Sequence, residues 1–345
     1  MQAYTDLALQ KTVELLAIDS PTGFTDGAAR YVLDELHALG LEARLTEKGG
    51  VLATLPSQPS EEGGLLLEAH IDTLGAMVAE IKASGRLRLT PLGGMRAENA
   101  EGENARVYTR SGNLYEGTLR LINPSVHVND SYADQKRDFN TTELVLDEDV
   151  STAAEARALG LEVGDVVAFD PRTRLTESGY LKSRFLDDKL SVGILLSFAA
   201  YLCDKGITLP RPTYLHVTVY EEVGHGGSAS VPAGVTEAIS VDMGCVGVGL
   251  TCTERQVSIC AKDSGGPYSY AVVGKLIEAA KNECADYAVD VYPHYGSDVE
   301  ATLRGGHDVR HGLIGAGVYE SHGYERTHRD GVRNTLLTLK GYLGV

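Results

Sequence analysis

No apolar run in the 345-residue chain approaches the roughly 18 residues needed to cross a bilayer. Basic residues are scarce as well. Lysine and arginine number 31 against 48 aspartates and glutamates, a formal net charge of −17, and no basic run offsets the excess. Such a field repels phosphate backbones and anionic lipid surfaces, so we expect no binding to nucleic acid or to membranes. The opening residues, Met1-Gln2-Ala3-Tyr4, lack the basic and apolar segments of a secretory signal, which sets the expectation of a cytoplasmic protein. The cysteines, Cys203, Cys245, Cys252, Cys260 and Cys284, form no Cys-x-x-Cys pair, and their odd number suits a reducing compartment. Low-complexity tracts are absent too. With 43% hydrophobic and 23% charged residues, the composition is that of a globular chain and argues against long disorder.

A chain of this length has room for one large domain, or for a core domain that carries a smaller one. Ser20-Pro21-Thr22-Gly23 is turn chemistry. Thr25 or Asp26 can then cap a helix whose apolar residues Ala29, Val32, Leu33, Leu36 and Leu39 recur at helical spacing until Gly40. Leu65-Leu66-Leu67-Glu68-Ala69 has the form of a buried strand. From about Gly75 to Thr173 the pattern changes to short β-rich pieces, such as 107–109, 117–122 and 165–169, separated by glycine and asparagine. We therefore expect residues 75–173 to form a small inserted β domain, and residues 1–74 and 174–345 to make one discontinuous domain. In the latter a helix from Asp188 places Leu190, Ile194, Leu195, Phe198, Ala199 and Leu202 on one face. Strands are expected over 213–220, 238–241, 256–261, 287–291 and 312–318, with a final helix from about Gly331. The fold class read from this alternation is α/β, a mostly parallel sheet covered by helices on both faces and interrupted once.

Polar residues able to hold metal sit just beyond the apolar strand-like runs. They are His70-Ile71-Asp72, Glu221-Glu222, Asp242 and His322, joined by Asp187-Asp188-Lys189 at the opening of a helix. Taken singly, each is an ordinary turn, solvated loop or helix cap. Taken together they converge, because ligands of open α/β sheets gather at the carboxyl ends of the strands. Their chemistry is also coherent. Histidine nitrogen and carboxylate oxygen suit zinc, and two ions about 3.5–4 Å apart need a shared carboxylate to offset their repulsion.

The order His-x-Asp, β-rich insertion, Asp-Asp-Lys, Glu-Glu-Val-Gly-x-Gly-Gly, Val-Asp-Met-Gly and late histidine resembles the tetrahedral aminopeptidases over nearly the whole chain. These are dinuclear metallopeptidases, also known as glutamyl or deblocking aminopeptidases and sometimes as endoglucanases. The resemblance implies a zinc-peptidase-like fold and two divalent ions per subunit, zinc or cobalt. It implies that His70, Asp187 and Asp242 hold one ion, that Asp187, Glu222 and His322 hold the other, and that Asp187 bridges them. It further implies that Glu221 is the general base and that Asp72 accepts a hydrogen bond from His70. The insertion is then a dimerisation or assembly domain of a hollow homo-oligomer, often a dodecamer, that admits short peptide substrates.

The chain departs from the family pattern in its tail. His322 is followed by Gly323-Tyr324-Glu325-Arg326-Thr327-His328, which makes His328 a competing ligand, and a lysine, Lys189, follows the paired acids where the family has arginine. Tyr295-Gly296-Ser297-Asp298 is similar to a family segment near the substrate, which offers Ser297 and Asp298 as substrate-binding residues; as a glycine turn it would cap the next helix instead. The same two-metal core also serves carboxypeptidases and amide deacylases, and a binding protein can retain the fold without catalysis.

Overall fold

The computed structural model describes every residue from Met1 to Val345. Helices α1 (Gln2–Leu16) and α2 (Asp26–Ala38) lead into the antiparallel strands β1 (Glu42–Leu45) and β2 (Val51–Thr54), then β3 (Gly64–His70). There follow β4 (Gly75–Ile81), β5 (Leu87–Leu92), β6 (Asn104–Tyr108), β7 (Leu114–Leu121), β8 (Thr142–Leu146), the short helix α3 (Ala153–Ala158) and β9 (Val166–Phe169). The chain continues through β10 (Arg174–Leu175), β11 (Tyr180–Ser183), the long helix α4 (Leu186–Lys205), β12 (Thr213–Thr218), β13 (Val235–Val241), β14 (Gly244–Val246) and β15 (Val257–Lys262). Last come α5 (Tyr270–Asn282), β16 (Tyr287–Val291), α6 (Asp298–Arg304), β17 (Arg310–Tyr319), β18 (Glu325–His328) and α7 (Arg329–Leu343).

These elements make two compact units. One comprises Met1–Asp72 with Arg172–Val345, and the other comprises Thr73–Pro171. In the larger unit a 12-stranded sheet has the path β1-β2-β12-β3-β13-β17-β18-β11-β10, with β14, β15 and β16 attached beside β17. The sheet is mixed, which corrects the expectation of a mostly parallel one. Its central strands β12, β3, β13 and β17 are parallel, but β2, β18 and β11 pair antiparallel to their neighbours, as β15 does to β17. The reason lies in the connections. Central strands are joined by long crossovers, whereas β2 to β1, β11 to β10 and β18 to β17 are each joined by a turn of a few residues that reverses the chain.

The central strands are apolar runs because both of their faces are covered. All seven residues of β3 are buried. Helix α4 is buried along almost its whole length and packs on α1, where Gly193 permits the approach: a β-carbon there would stand 2.3 Å from the Thr12 hydroxyl. Lys189 is buried beside it, and its ammonium donates to the carbonyls of Leu15 (3.0 Å) and Ile18 (2.6 Å). A cation at the carbonyl-rich end of α1 satisfies acceptors that the helix itself leaves open.

The smaller unit is a closed barrel of strand order β4-β5-β8-β7-β6-β9. Alternation along its strands turns Val78, Leu87, Leu89, Val107, Leu119, Leu144, Val167 and Phe169 inward, where all are buried. Helix α3 opens on a reciprocal cap in which Thr152 accepts from the Glu155 amide and Glu155 accepts from the Thr152 amide.

Candidate metal centre

Because β12, β3, β13 and β17 run parallel, their carboxyl ends share one edge of the sheet, and each end carries a candidate ligand. β3 closes on His70, with Asp72 two residues on, and Asp242 follows β13 directly. Beyond β12 the chain turns through Tyr220 (φ 68°) into the single 3-10 turn Glu221–Val223, which ends at Gly224 (φ 86°). After β17, Glu320 and His322 both take left-handed backbone, at φ 62° and 65°. The head of α4 supplies Asp187 and Asp188, whose torsions depart from the helix.

Asp187 stands at the centre. Its Oδ1 lies 3.2 Å from Nε2 of His70, and its Oδ2 lies 3.5 Å from Nε2 of His322. The Ser321 hydroxyl also donates to Oδ2, at 3.1 Å. On the far side, Nε2 of His322 is 3.7 Å from Glu222 Oε2, and Nε2 of His70 is 3.7 Å from Glu221 Oε2. Single atoms of His70, Asp187 and Glu222 fall within 4.8 Å of one another, and so do those of His70, Asp188 and Asp242. Asp188, which the sequence offers only as a helix-opening residue, thus stands with His70 and Asp242, and its Oδ2 accepts from the His70 amide at 3.3 Å.

The electrostatics are those of a site short of positive charge. Burial pushes the Glu221 and Glu222 carboxyls well above their usual range, and the neighbouring acids push the same way. Burial, then Asp187, raises Asp242 to about 7. Asp188 is raised by burial and then by Asp242. Only Asp187 is lowered: burial acts against it, but the hydrogen bond and charge of His70, with His322 and the Ser321 hydroxyl, together outweigh burial. His70 is in turn raised well above its ordinary value, because Asp187, Glu221, Asp188 and Asp242 outweigh its burial. Oε1 of Glu222 is buried and has no hydrogen-bond partner. A cation satisfies such an oxygen and relieves the crowded acids. The donor set of imidazole nitrogen and carboxylate oxygen, free of thiolate, fits zinc or cobalt. Cys245 lies nearby, but burial followed by Asp187 and Asp242 holds its thiol well above the ordinary range.

Three expectations change. The carboxylate of Asp72 is 3.7 Å from Nδ1 of His70, and the contact to that nitrogen comes from the Asp72 backbone carbonyl at 2.9 Å. The carboxylate is occupied elsewhere, accepting from the Thr22 hydroxyl (2.7 Å) and from the Glu221 amide (3.1 Å). Ser297 and Asp298, expected at the substrate, are 2% and 3% exposed. Ser297 shares a hydrogen bond with Tyr268, and Asp298 accepts from Thr218 at 2.6 Å, both at the head of α6. His328 is the N-cap of α7; its Nε2 meets the Ser178 carbonyl at 2.9 Å and its Nδ1 accepts from the Asp330 amide at 3.0 Å, so both ring nitrogens are engaged away from the candidate ligands.

Two further residues of the site, Lys48 and Glu68, carry no signal in the sequence. Lys48, in the β1–β2 turn, donates to the carbonyls of His225 and of Gly226, the latter at 2.9 Å, and so holds the loop behind Glu221 and Glu222. Beneath that loop Glu68 is buried between His216 (3.0 Å) and Thr302 (2.9 Å). Glu325 is also buried, and its spacing of three from His322 is the one local cue that could have found it.

The family described as M42 glutamyl aminopeptidase matches residues 49–337. The chain belongs to this family. This M42 chain is 42% identical over 340 residues to YhfE of Bacillus subtilis (strain 168), a protein named as an aminopeptidase, with 97% of this chain and 98% of that one covered. Among solved structures, aminopeptidase APDkam598 from the archaeon Desulfurococcus kamchatkensis has the same fold, with a TM-score of 0.86 at 21% identity over 99% of this chain and 95% of that one. The TET1 peptidase of Pyrococcus horikoshii has a TM-score of 0.85 at 19% identity over 97% and 99%. The protein is therefore an enzyme of an aminopeptidase family, and its fold is that of the tetrahedral aminopeptidases.

Proposed function

We propose that the enzyme removes the first residue from short peptides by a metal-dependent hydrolysis in which Asp187 is shared between two divalent ions, zinc or cobalt. The observation that carries this reading is the stance of Asp187, with one carboxylate oxygen turned to each histidine. His70 and Asp242 would complete one side of the pair, and Glu222 and His322 the other. When bound, such ions would lower the pKa of a water toward roughly 7 and polarise the scissile carbonyl.

The remaining work falls to the protein. Glu221 is assigned the general base: its amide is pinned by Asp72 and its carboxylate is turned toward His70. It takes one proton from the attacking water as the new C–O bond forms, then returns it to the nitrogen of the breaking C–N bond, so that the amine leaves neutral. Burial, which raises its proton affinity, suits a group that must hold a proton between two steps. Adjacent glutamates in a tight turn do not present their side chains alike, so Glu222 is free for the ion and Glu221 for the proton.

We further propose a homo-oligomer. The support is the likeness to TET1 of Pyrococcus horikoshii, a peptidase described as assembling into a tetrahedron or a large octahedral shell.

Stripping and reloading the wild type, Glu221→Gln and Glu222→Gln tests the assignment. Wild type should lose hydrolysis of aminoacyl anilides when stripped and regain it with zinc or cobalt. Glu221→Gln should retain two ions by mass spectrometry while kcat falls about 10²–10⁴-fold. Glu222→Gln should lose an ion. Full turnover without metal, or two ions with near-normal kcat in Glu221→Gln, would sink the reading.

A further inference from the structure

Glu325 opens β18, where it pairs across the ladder with Ser183 of β11 and is 1% exposed. A carboxylate with no solvent needs donors, and here they come from two separate stretches of chain. Its Oε2 accepts from the Asp187 amide at 3.1 Å, and its Oε1 accepts from the His322 amide at 3.1 Å. The Leu186 amide bonds to it as well. The first stretch is the head of α4, whose leading N–H groups have no partner within the helix. The second is the turn in which Glu320 and His322 hold left-handed backbone, a conformation unfavourable to non-glycine residues unless the surroundings fix it. The bond from His322 N–H back to Glu325 closes that turn.

We propose that Glu325 is a positioning residue for the ion site formed by Asp187, Glu222 and His322. It offers no oxygen to an ion, since both are taken by backbone donors. Through those donors it fixes two ligand-bearing backbones, at Asp187 and at His322, against one buried carboxyl group. Loss of either bond lets the Asp187 carboxylate and the His322 ring drift relative to each other. Ser321 contributes to the same end by donating to Asp187 Oδ2 from the neighbouring position.

This inference rests on the two-ion reading, and the test separates the two. Metal-free full-length protein is titrated with cobalt(II), followed by calorimetry and by the visible absorption of bound cobalt. Glu325→Gln keeps the shape but sets an amide NH₂ against one of the backbone N–H groups. It should weaken the second ion about 10- to 100-fold, the usual effect of removing a group that orients a metal ligand, and shift that ion's absorption band. The first ion, which shares Asp187 but not His322, should weaken less than the second. Should Glu325→Gln fail to fold, Glu325→Asp is titrated instead. It keeps the carboxyl but is one methylene too short to span both stretches, and the same ion should weaken. Wild-type affinities and spectra for both ions in the folded variant overturn the proposal, as does a loss confined to the first ion. Wild type that binds fewer than two ions overturns the two-ion reading, and this proposal with it.

Discussion

Asp187 and Glu222 face the same two histidines, yet their carboxyls shift in opposite directions. The difference is one of partners. Asp187 has a ring nitrogen at 3.2 Å and a hydroxyl at 3.1 Å, whereas Glu222 leaves one buried oxygen without a donor. The same reasoning separates the two late histidines. His322 has 40% of its side chain exposed and directs Nε2 to Asp187 and Glu222, while His328 has both nitrogens engaged at the head of α7. We predict that His322→Ala lowers ion content and activity together. His328→Ala should keep its ions and lose stability, at about 0.5–2 kcal/mol for a missing helix cap. Metal analysis and thermal melting of both variants check this, and ion loss confined to His328→Ala would reverse the assignment. That His70, Asp187, Glu222, Asp242 and His322 gather at one edge of the sheet was legible because each follows an apolar run or opens a helix. The error over Asp72 has a physical cause too: a carboxylate two residues from a histidine can turn either way, and only the tertiary position of Thr22 and Glu221 decides which.

At the scale of elements, the loop over 220–228 is the part most dependent on distant residues. Gly224, with a positive φ, permits the tight turn after Val223. Gly226 and Gly227 have another duty. A β-carbon on them would lie 2.1 Å from Asp298 Oδ1 and 2.5 Å from the Asp298 carbonyl oxygen, so the loop can press on the head of α6 only without side chains. Thr302 of α6 donates to the Gly227 carbonyl at 2.9 Å, and Lys48 holds the carbonyls on the other side. Burial lowers the Lys48 ammonium, and Asp298, Asp72 and Glu68 oppose that fall. We predict that Lys48→Met, which keeps the stem and removes the charge, lowers kcat about 10- to 100-fold through misplacement of Glu221 while both ions are retained. Steady-state kinetics with metal analysis decides the matter; wild-type kcat would refute the clamp. No sequence pattern marks Lys48, because its partners are backbone carbonyls 177 and 178 positions away. The central strand positions were readable, whereas the short strands β10, β11, β14 and β18 and the strand direction at the sheet flanks were not, since periodicity carries burial but not orientation.

For the molecule as a whole, the change in composition near residues 75 and 173 lies two residues later at each end than the boundary between the compact units. We propose that the smaller unit serves assembly. Excising Thr73–Pro171 and joining Asp72 to Arg172 should then yield smaller oligomers or monomers in light scattering, with the ligand residues intact. A well-folded deletion that kept the parent mass would assign the unit another role. Closure of its sheet governs how the experiment can be cut. In an open sheet an outer strand can be trimmed and the next one becomes the edge. A ring has no outer strand: each of the six is hydrogen-bonded on both sides, β9 returning to β4 through Ala76 and Met77. Removing any one would expose two unpaired ladders and open the buried leucines and valines to water. The insertion is therefore indivisible, and partial truncations within it should aggregate where complete excision does not.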